Sequence, residues 1–191
     1  MSLILISGPA RSGKSLAGSI LAERLGADCF ALSDILKDMT HKHFGVDVGV
    51  SGFERVKDIP VPEFDFKTPR EAYIWFSEDI LKPCYGEHAL GSWALSRVKD
   101  NLEVDRPSIV TGVGFKEEVA PLIDAVGKDK TYLITVECSP LQTVTDSRSV
   151  LRCEEFGVSG VTIPNCFTPA YFDRITQLLE RGGSDLVAPG P

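Results

Sequence analysis

Gly8-Pro9-Ala10-Arg11-Ser12-Gly13-Lys14-Ser15 fits the pattern G-x-x-x-x-G-K-[ST], and each fixed position has a chemical reason. Glycines let backbone N–H groups close around phosphate oxygens with no side chain in the way. A helix opening directly behind them adds its positive end. Lys14 would reach the β- and γ-phosphates of a nucleoside triphosphate, and the Ser15 hydroxyl would ligate Mg2+. Gly8, Ala10, Arg11, Ser12, Gly13, Lys14 and Ser15 are therefore the expected ATP-binding residues, with Ser15 as metal ligand. The alternative is an ordinary glycine turn with a solvated lysine. Context weighs against it, because the pattern must follow an apolar strand and open a helix, and here it does both.

Further charged residues lie where an acceptor molecule would need them. Arg70 is the second residue of a helix opening Thr68-Pro69-Arg70-Glu71. A cation there opposes the helix dipole, so stability alone does not select it. A guanidinium gripping an acceptor phosphate does. Asp34 and Lys37 share a helix face one turn apart, for contact with the acceptor or with a metal-bound water, or for a plain ion pair. Asp34, just past the second strand, is also the expected carboxylate for Mg2+. Tyr73, Trp75 and Phe76 sit on one helix, and Trp75 is expected to stack on a base, against the plainer role of a core aromatic. Arg148 and Arg152, spaced i, i+4, would share a helix face and clamp the transferred phosphoryl group as a lid, the plainer reading being a solvated surface helix. His41 and His43 lack a third ligand at a recognisable spacing and read as surface residues.

The elements that must position these residues alternate. Residues 3–6 are an apolar run for a buried parallel strand. A helical stripe of Leu16, Ile20, Leu21 and Leu25 comes next and ends at Gly26. Residues 29–32 read as the second strand, and Ser33 or Asp34 caps a helix to about His43. The glycines and prolines of 45–67 point to a loop or irregular insertion. Thr68, Pro69 and Glu71 open a helix that Pro83 is expected to stop at Lys82. Then come a helix over 87–101, a strand over 108–111, a helix over 115–126 containing Pro121, and a strand over 131–137. A helix over 141–156, a strand over 161–163, and a helix from Thr168 to Gly182-Gly183 complete the series, with a frayed tail over 184–191. The alternation predicts one three-layer α/β domain over 1–183 with a doubly wound parallel sheet. Within it, 34–100 is the helical acceptor-binding region and 140–156 the lid-like segment.

Composition narrows the partners. At 191 residues the chain is one domain's length, and 43% hydrophobic with 25% charged residues is an ordinary globular balance. With 20 Lys+Arg against 27 Asp+Glu the net charge is −7, which weighs against broad, nonspecific nucleic-acid binding but not against a small anionic substrate held by a few local cations. No apolar run near the start approaches the ~20 residues of a membrane span, and Gly8 and Arg11 interrupt any signal peptide. Five cysteines without a C-x-x-C pair indicate neither zinc nor a disulfide framework, and reduced thiols fit the cytoplasm.

Residues beyond the phosphate loop separate its users. The chain has no Asn-Lys-x-Asp guanine signature and is short for a motor-type ATPase, which favours a small-molecule kinase. Five stretches resemble the viral deoxynucleoside monophosphate kinases, a branch of the P-loop nucleotide kinases typified by T-even phages. They are the loop itself, Leu32-Ser33-Asp34-Ile35-Leu36-Lys37, the helix start Thr68-Pro69-Arg70-Glu71, Ser108 to Glu118, and Ile163-Pro164-Asn165. The resemblance implies a P-loop kinase fold that moves the ATP γ-phosphoryl group to a deoxynucleoside 5′-monophosphate, with Mg2+. Its implied catalytic residues are Lys14, Arg70, Arg148 and Arg152, and its implied substrate contacts are Asp34, Lys37, Arg70, Trp75 and Asp79. It also implies the cytoplasm of a host cell, and leaves a homodimer open. The chain departs from the family where Ile74 and Ser77-Glu78-Asp79 replace Gln and Gly-Thr-Glu, where Lys82 replaces an arginine, and where Gly112 and Gly114 replace the Asp and Arg ending the third strand. Two other readings remain: a related kinase of the dephospho-coenzyme A type, and a nucleotide-binding protein without turnover.

Overall fold

The computed structural model describes residues 2–138, 149–165 and 177. Strand β1 (Leu3–Ser7) is buried along its whole length. A strand covered on both faces divides its side chains by parity. Leu3 and Leu5 join one core cluster, and Ile4 and Ile6 join another. Around β1 stand β2 (Asp28–Ala31), β3 (Ser108–Val113), β4 (Thr131–Cys138) and β5 (Ser159–Asn165). All pairings are parallel, in the order β2-β3-β1-β4-β5. β1 to β4 are each longer than or offset from the expected spans by one or two residues, and β5 runs to seven residues where three were expected.

Helices cover both faces. Ala17 and Leu21 of α1 (Lys14–Leu25) pack with Ile4, Ile6, Ile109 and Val136. On the other face, Ala94 and Val98 of α5 (Ala89–Glu103) pack with Val119, Leu122, Ile123 and Val126 of α6 (Lys116–Val126). The result is the expected three-layer α/β architecture with a parallel sheet. The face α1 presents is not the expected one, however. Leu16 is 45% exposed, while Ala17, Gly18 and Leu21 are buried. The helix lies so close to the sheet that a Cβ on Gly18 would stand 2.6 Å from Thr111 Cγ2, so small residues make the contact.

The acceptor-side region comes after β2. Helix α2 (Leu32–His43) leads into turns, which fold on an aromatic cluster of their own. Phe53, Phe64 and Ala72 form its centre, with Phe44, Val46, Val56, Val61 and Tyr73 against them. Pro83 does not stop the next helix. Helix α3 (Pro69–Trp75) passes into a π-helical turn over Phe76–Leu81 and on into α4 (Lys82–Tyr85). Proline offers no N–H to the carbonyl four residues back and crowds it, and the widened turn just ahead absorbs that mismatch.

Residues 149–156 correct a second expectation. They contain only a 3₁₀ turn, Cys153–Glu155, and Arg152 is extended at φ −121°, ψ 149°. The sheet holds this backbone out of a helix. The Leu151 N–H donates to Ser7 Oγ at 2.9 Å, and its carbonyl accepts from Thr135 Oγ1 at 2.8 Å. Ser149 N–H donates to Gly114 O at 3.0 Å. The rest of the expected lid (140–148), the helix from Thr168 and the tail lie outside the described residues, apart from helical Gln177.

At the opposite end of the sheet Asp28 binds Arg97 Nε and Nη2, both at 2.6 Å, and Asn101 Nδ2 at 3.0 Å. The same Asn101 amide donates to Ser108 Oγ at 2.9 Å, so one network joins β2, β3 and α5. Among the described residues no helix is long and apolar enough to cross a membrane.

Candidate active site

The loop Gly8–Ser15 leaves the carboxyl end of the central strand and turns into α1. Its geometry needs its glycines. Gly13 caps α1 at φ 88°, ψ 12°, in the left-handed region. Gly8 has φ 149°, and any Cβ there would run into the backbone carbonyl of Val136. The first turn of α1 carries no acidic residue, so nothing cancels the positive end of the helix. Lys14 Nζ reaches back over the loop to donate to Pro9 O and, at 3.5 Å, to Ser12 Oγ. Ser15 is exposed on the first turn, and Ser12 is fully buried. Loop amides, helix end, lysine and exposed hydroxyl together suit a polyphosphate and the magnesium that accompanies it.

A charged cluster gathers on α2 and the turns behind it, past the carboxyl end of β2, the end of the sheet where a doubly wound fold binds ligands. Asp34 lies in the first turn of α2 and accepts from Ala31 N–H at 3.3 Å. Lys37, one turn on, lies 3.6 Å from Asp34 and 2.5 Å from Glu54. Lys57 lies 3.8 Å from Glu54. Arg70 Nε donates to Asp58 Oδ1 at 2.7 Å, and its backbone N–H donates to Lys57 O. The Arg70 hydrogen bond holds Asp58 below the usual carboxylate range, helped by the charges of Lys57 and of Arg11 from the phosphate loop. Lys37 does the same for Glu54. Asp34, Lys37 and Arg70 are therefore linked to one another through residues 54–58.

Other expected residues stand apart. Trp75 packs on His43 at 5.4 Å and Phe44 at 5.8 Å between ring centroids, with Lys67 Nζ over its ring. It is a member of the aromatic cluster. Tyr73 donates its hydroxyl proton to His41 Nε2 at 2.9 Å, since His41 Nδ1 must donate to the Val48 carbonyl at 3.0 Å. Burial lifts the Tyr73 phenol to about 12. His43 is exposed, as expected, but His41 is 2% exposed and packs on Phe53 and Phe64, which corrects the expectation of two surface histidines. Asp79 is exposed on the π turn. Arg152 pairs with Glu137 at 2.7 Å from its extended position, which removes the helical face it was to share with Arg148, and Arg148 lies outside the described residues.

Four residues at the site escaped the sequence reading. Glu54 and Asp58 sit in the stretch that offered no periodicity. Ser7 donates to Val113 O at 3.0 Å while accepting from Leu151 N–H. Asn165 donates to Ser12 O at 2.6 Å; its only signal was its place in Ile163-Pro164-Asn165. The third strand also explains the missing acid. β1 and β3 slip register between Ile6 and Ser7, and Gly112 sits in that bulge at φ 73°.

Strand order, crossover helices and the loop at the end of β1 define the three-layer P-loop α/β class. Neither a protein-family profile nor a curated protein sequence matches the chain. Solved structures align with it at low identity. A shikimate kinase from Aquifex aeolicus is 17% identical over 97% of this chain and 99% of that one, with a TM-score of 0.46. A thymidylate kinase from Candida albicans is 16% identical, covering 96% and 92%, at 0.49. A dephospho-CoA kinase from Campylobacter jejuni is 12% identical, covering 93% and 95%, at 0.48. At such identities and TM-scores these alignments name no acceptor.

Proposed function

We propose that this protein transfers the γ-phosphoryl group of ATP to a small phosphorylated acceptor, and that the acceptor is a deoxynucleoside 5′-monophosphate. One observation carries the first half: a glycine-built loop at the end of the central strand, opening a helix whose first turn bears lysine and serine but no acid. The second half rests on the order of the sequence motifs, with Arg70 joined through residues 54–58 to Lys37 and Asp34. Lys14 and the loop amides bind ATP, and Ser15 and Asp34 would hold Mg2+, which supplies charge neutralisation when bound. Arg70 and Lys37 orient the acceptor phosphate, exchanging Asp58 and Glu54 for it. That phosphate is already ionised and is itself the nucleophile, so no general base is needed.

A coupled ADP-release assay tests the reading. The panel is the four common deoxynucleoside monophosphates, their ribo counterparts and dephospho-coenzyme A. Deoxynucleotide-dependent ADP release is expected. Turnover with dephospho-coenzyme A alone would move the protein to the related kinase class. The glycine bulge at 112, where an acid is absent, favours a second reading as a nucleotide-binding protein. ATP binding with no acceptor-dependent release would establish that one instead.

A further inference from the structure

A loop that binds an anion through its N–H groups must turn its carbonyls away from that anion and satisfy them elsewhere. Here the Pro9 carbonyl accepts from Lys14 Nζ and, at 3.2 Å, from the Ser12 N–H. The Ser12 carbonyl accepts from Asn165 Nδ2 at 2.6 Å, in a buried contact bridging 153 positions of sequence. Asn165 is 3% exposed and ends β5, opposite Cys138 of β4. The bond has a geometric consequence. The Ser12 carbonyl and the Gly13 N–H belong to one planar trans peptide, so they point in opposite directions. Gly13, at φ 88°, is a residue around which such a peptide turns over at little cost. Whatever pins the Ser12 carbonyl therefore also aims the Gly13 N–H.

We propose that Asn165 is a positioning residue of the phosphate loop: its amide holds the Ser12–Gly13 peptide in the one orientation that presents the Gly13 N–H to a phosphate. This rests on the reading of Gly8–Ser15 as a polyphosphate site and adds to it a residue from the far edge of the sheet. Asn165→Asp is the discriminating variant. It keeps the shape, loses the donor and sets a carboxylate oxygen against the Ser12 carbonyl. Asn165→Ala leaves that carbonyl unheld but not repelled.

The test measures binding of inorganic tripolyphosphate and of ATP by calorimetry, to wild type, Lys14→Ala, Asn165→Ala and Asn165→Asp. Both Asn165 variants are expected to bind at least tenfold more weakly, Asp more weakly than Ala. In turnover, the KM for ATP should rise while the KM for the acceptor stays within about twofold, a split that general loosening of the fold would not produce. Wild-type affinity in Asn165→Asp, with binding lost in Lys14→Ala, sinks this proposal and leaves the phosphate loop standing. No binding by wild type removes the loop reading, and this proposal with it. Should the variants not fold, amide NMR of the wild type decides. Tripolyphosphate is expected to shift and protect the Gly13 N–H, and an unmoved Gly13 amide beside shifted neighbours overturns the assignment.

Discussion

Lys14 and Arg70 serve opposite ends of the proposed transfer, so their removal should fail in different ways. Lys14 donates to Pro9 and Ser12 of its own loop, so Lys14→Ala should leave the melting temperature nearly unchanged. It should lower ATP-dependent turnover by about 10²–10³-fold, the range for losing one preorganised donor to developing charge. Near-normal turnover would remove the loop from catalysis. Arg70 is half exposed and paired to Asp58, so Arg70→Ala costs little stability either. It should raise the acceptor KM about 30-fold or more while the ATP KM stays close to wild type. Equal effects on both substrates would take Arg70 out of the acceptor site. Lys14 was legible in the sequence because the chemistry of phosphate binding is local: eight consecutive residues carry it. Arg70 was legible through its cap and its opposition to the dipole. Asp58 and Asn165 were not, because each acts on a residue 12 or 153 positions away and nothing in its own neighbourhood encodes that.

Among the elements, α5 and α6 meet backbone to backbone at Gly91. A Cβ at Gly91 would collide with the backbone carbonyl of Glu118, and backbone cannot rotate aside as a side chain can. Gly91→Ala gains helix propensity of roughly 1 kcal/mol. The clash should outweigh it, because overpacking costs ~1–3 kcal/mol when something can move, and more when the obstacle is backbone. Thermal melting is expected to fall by several degrees, at about 2–4 °C per kcal/mol for a chain of this size. An unchanged or raised midpoint would show that the two helices slide apart freely. Strands were easily read, since each is an apolar run bounded by Gly, Pro or charge. Misreadings occurred where tertiary contacts override local preference. Polar residues 149–156 read as helix, but Ser7 and Thr135 hold Leu151 by its backbone. Pro83 read as a stop, yet the helix continues by widening. The aromatic cluster of Phe44, Phe53 and Phe64 went unseen because its members are spread through glycine- and proline-rich turns with no period.

At the scale of the whole molecule, the Asp28 network makes acid stability measurable. The Arg97 hydrogen bonds lower the Asp28 carboxyl below its ordinary value, against burial, with Asn101 adding to the effect. A depressed folded value means stabilisation that is complete above about pH 4 and is lost as pH falls through the lower folded value. Denaturant midpoints of wild type should therefore drop from about pH 5 to pH 2 more steeply than those of Asp28→Asn, and parallel profiles would discount the pair. The same sheet dictates an order of events during synthesis. Leu3 of the central strand pairs with Ser108 on one side and Thr131 on the other. Both partners leave the ribosome long after β1 does. About 130 residues at ~5–20 per second is roughly 6–25 s in which a strand apolar but for Ser7 lacks at least one of its two neighbours. Its unpaired edges are an aggregation hazard for that interval, the more so because pairings this distant in sequence form slowly. A nascent chain halted before residue 131 would thus be a client for chaperones, whereas one released after β4 can close the sheet around its first strand.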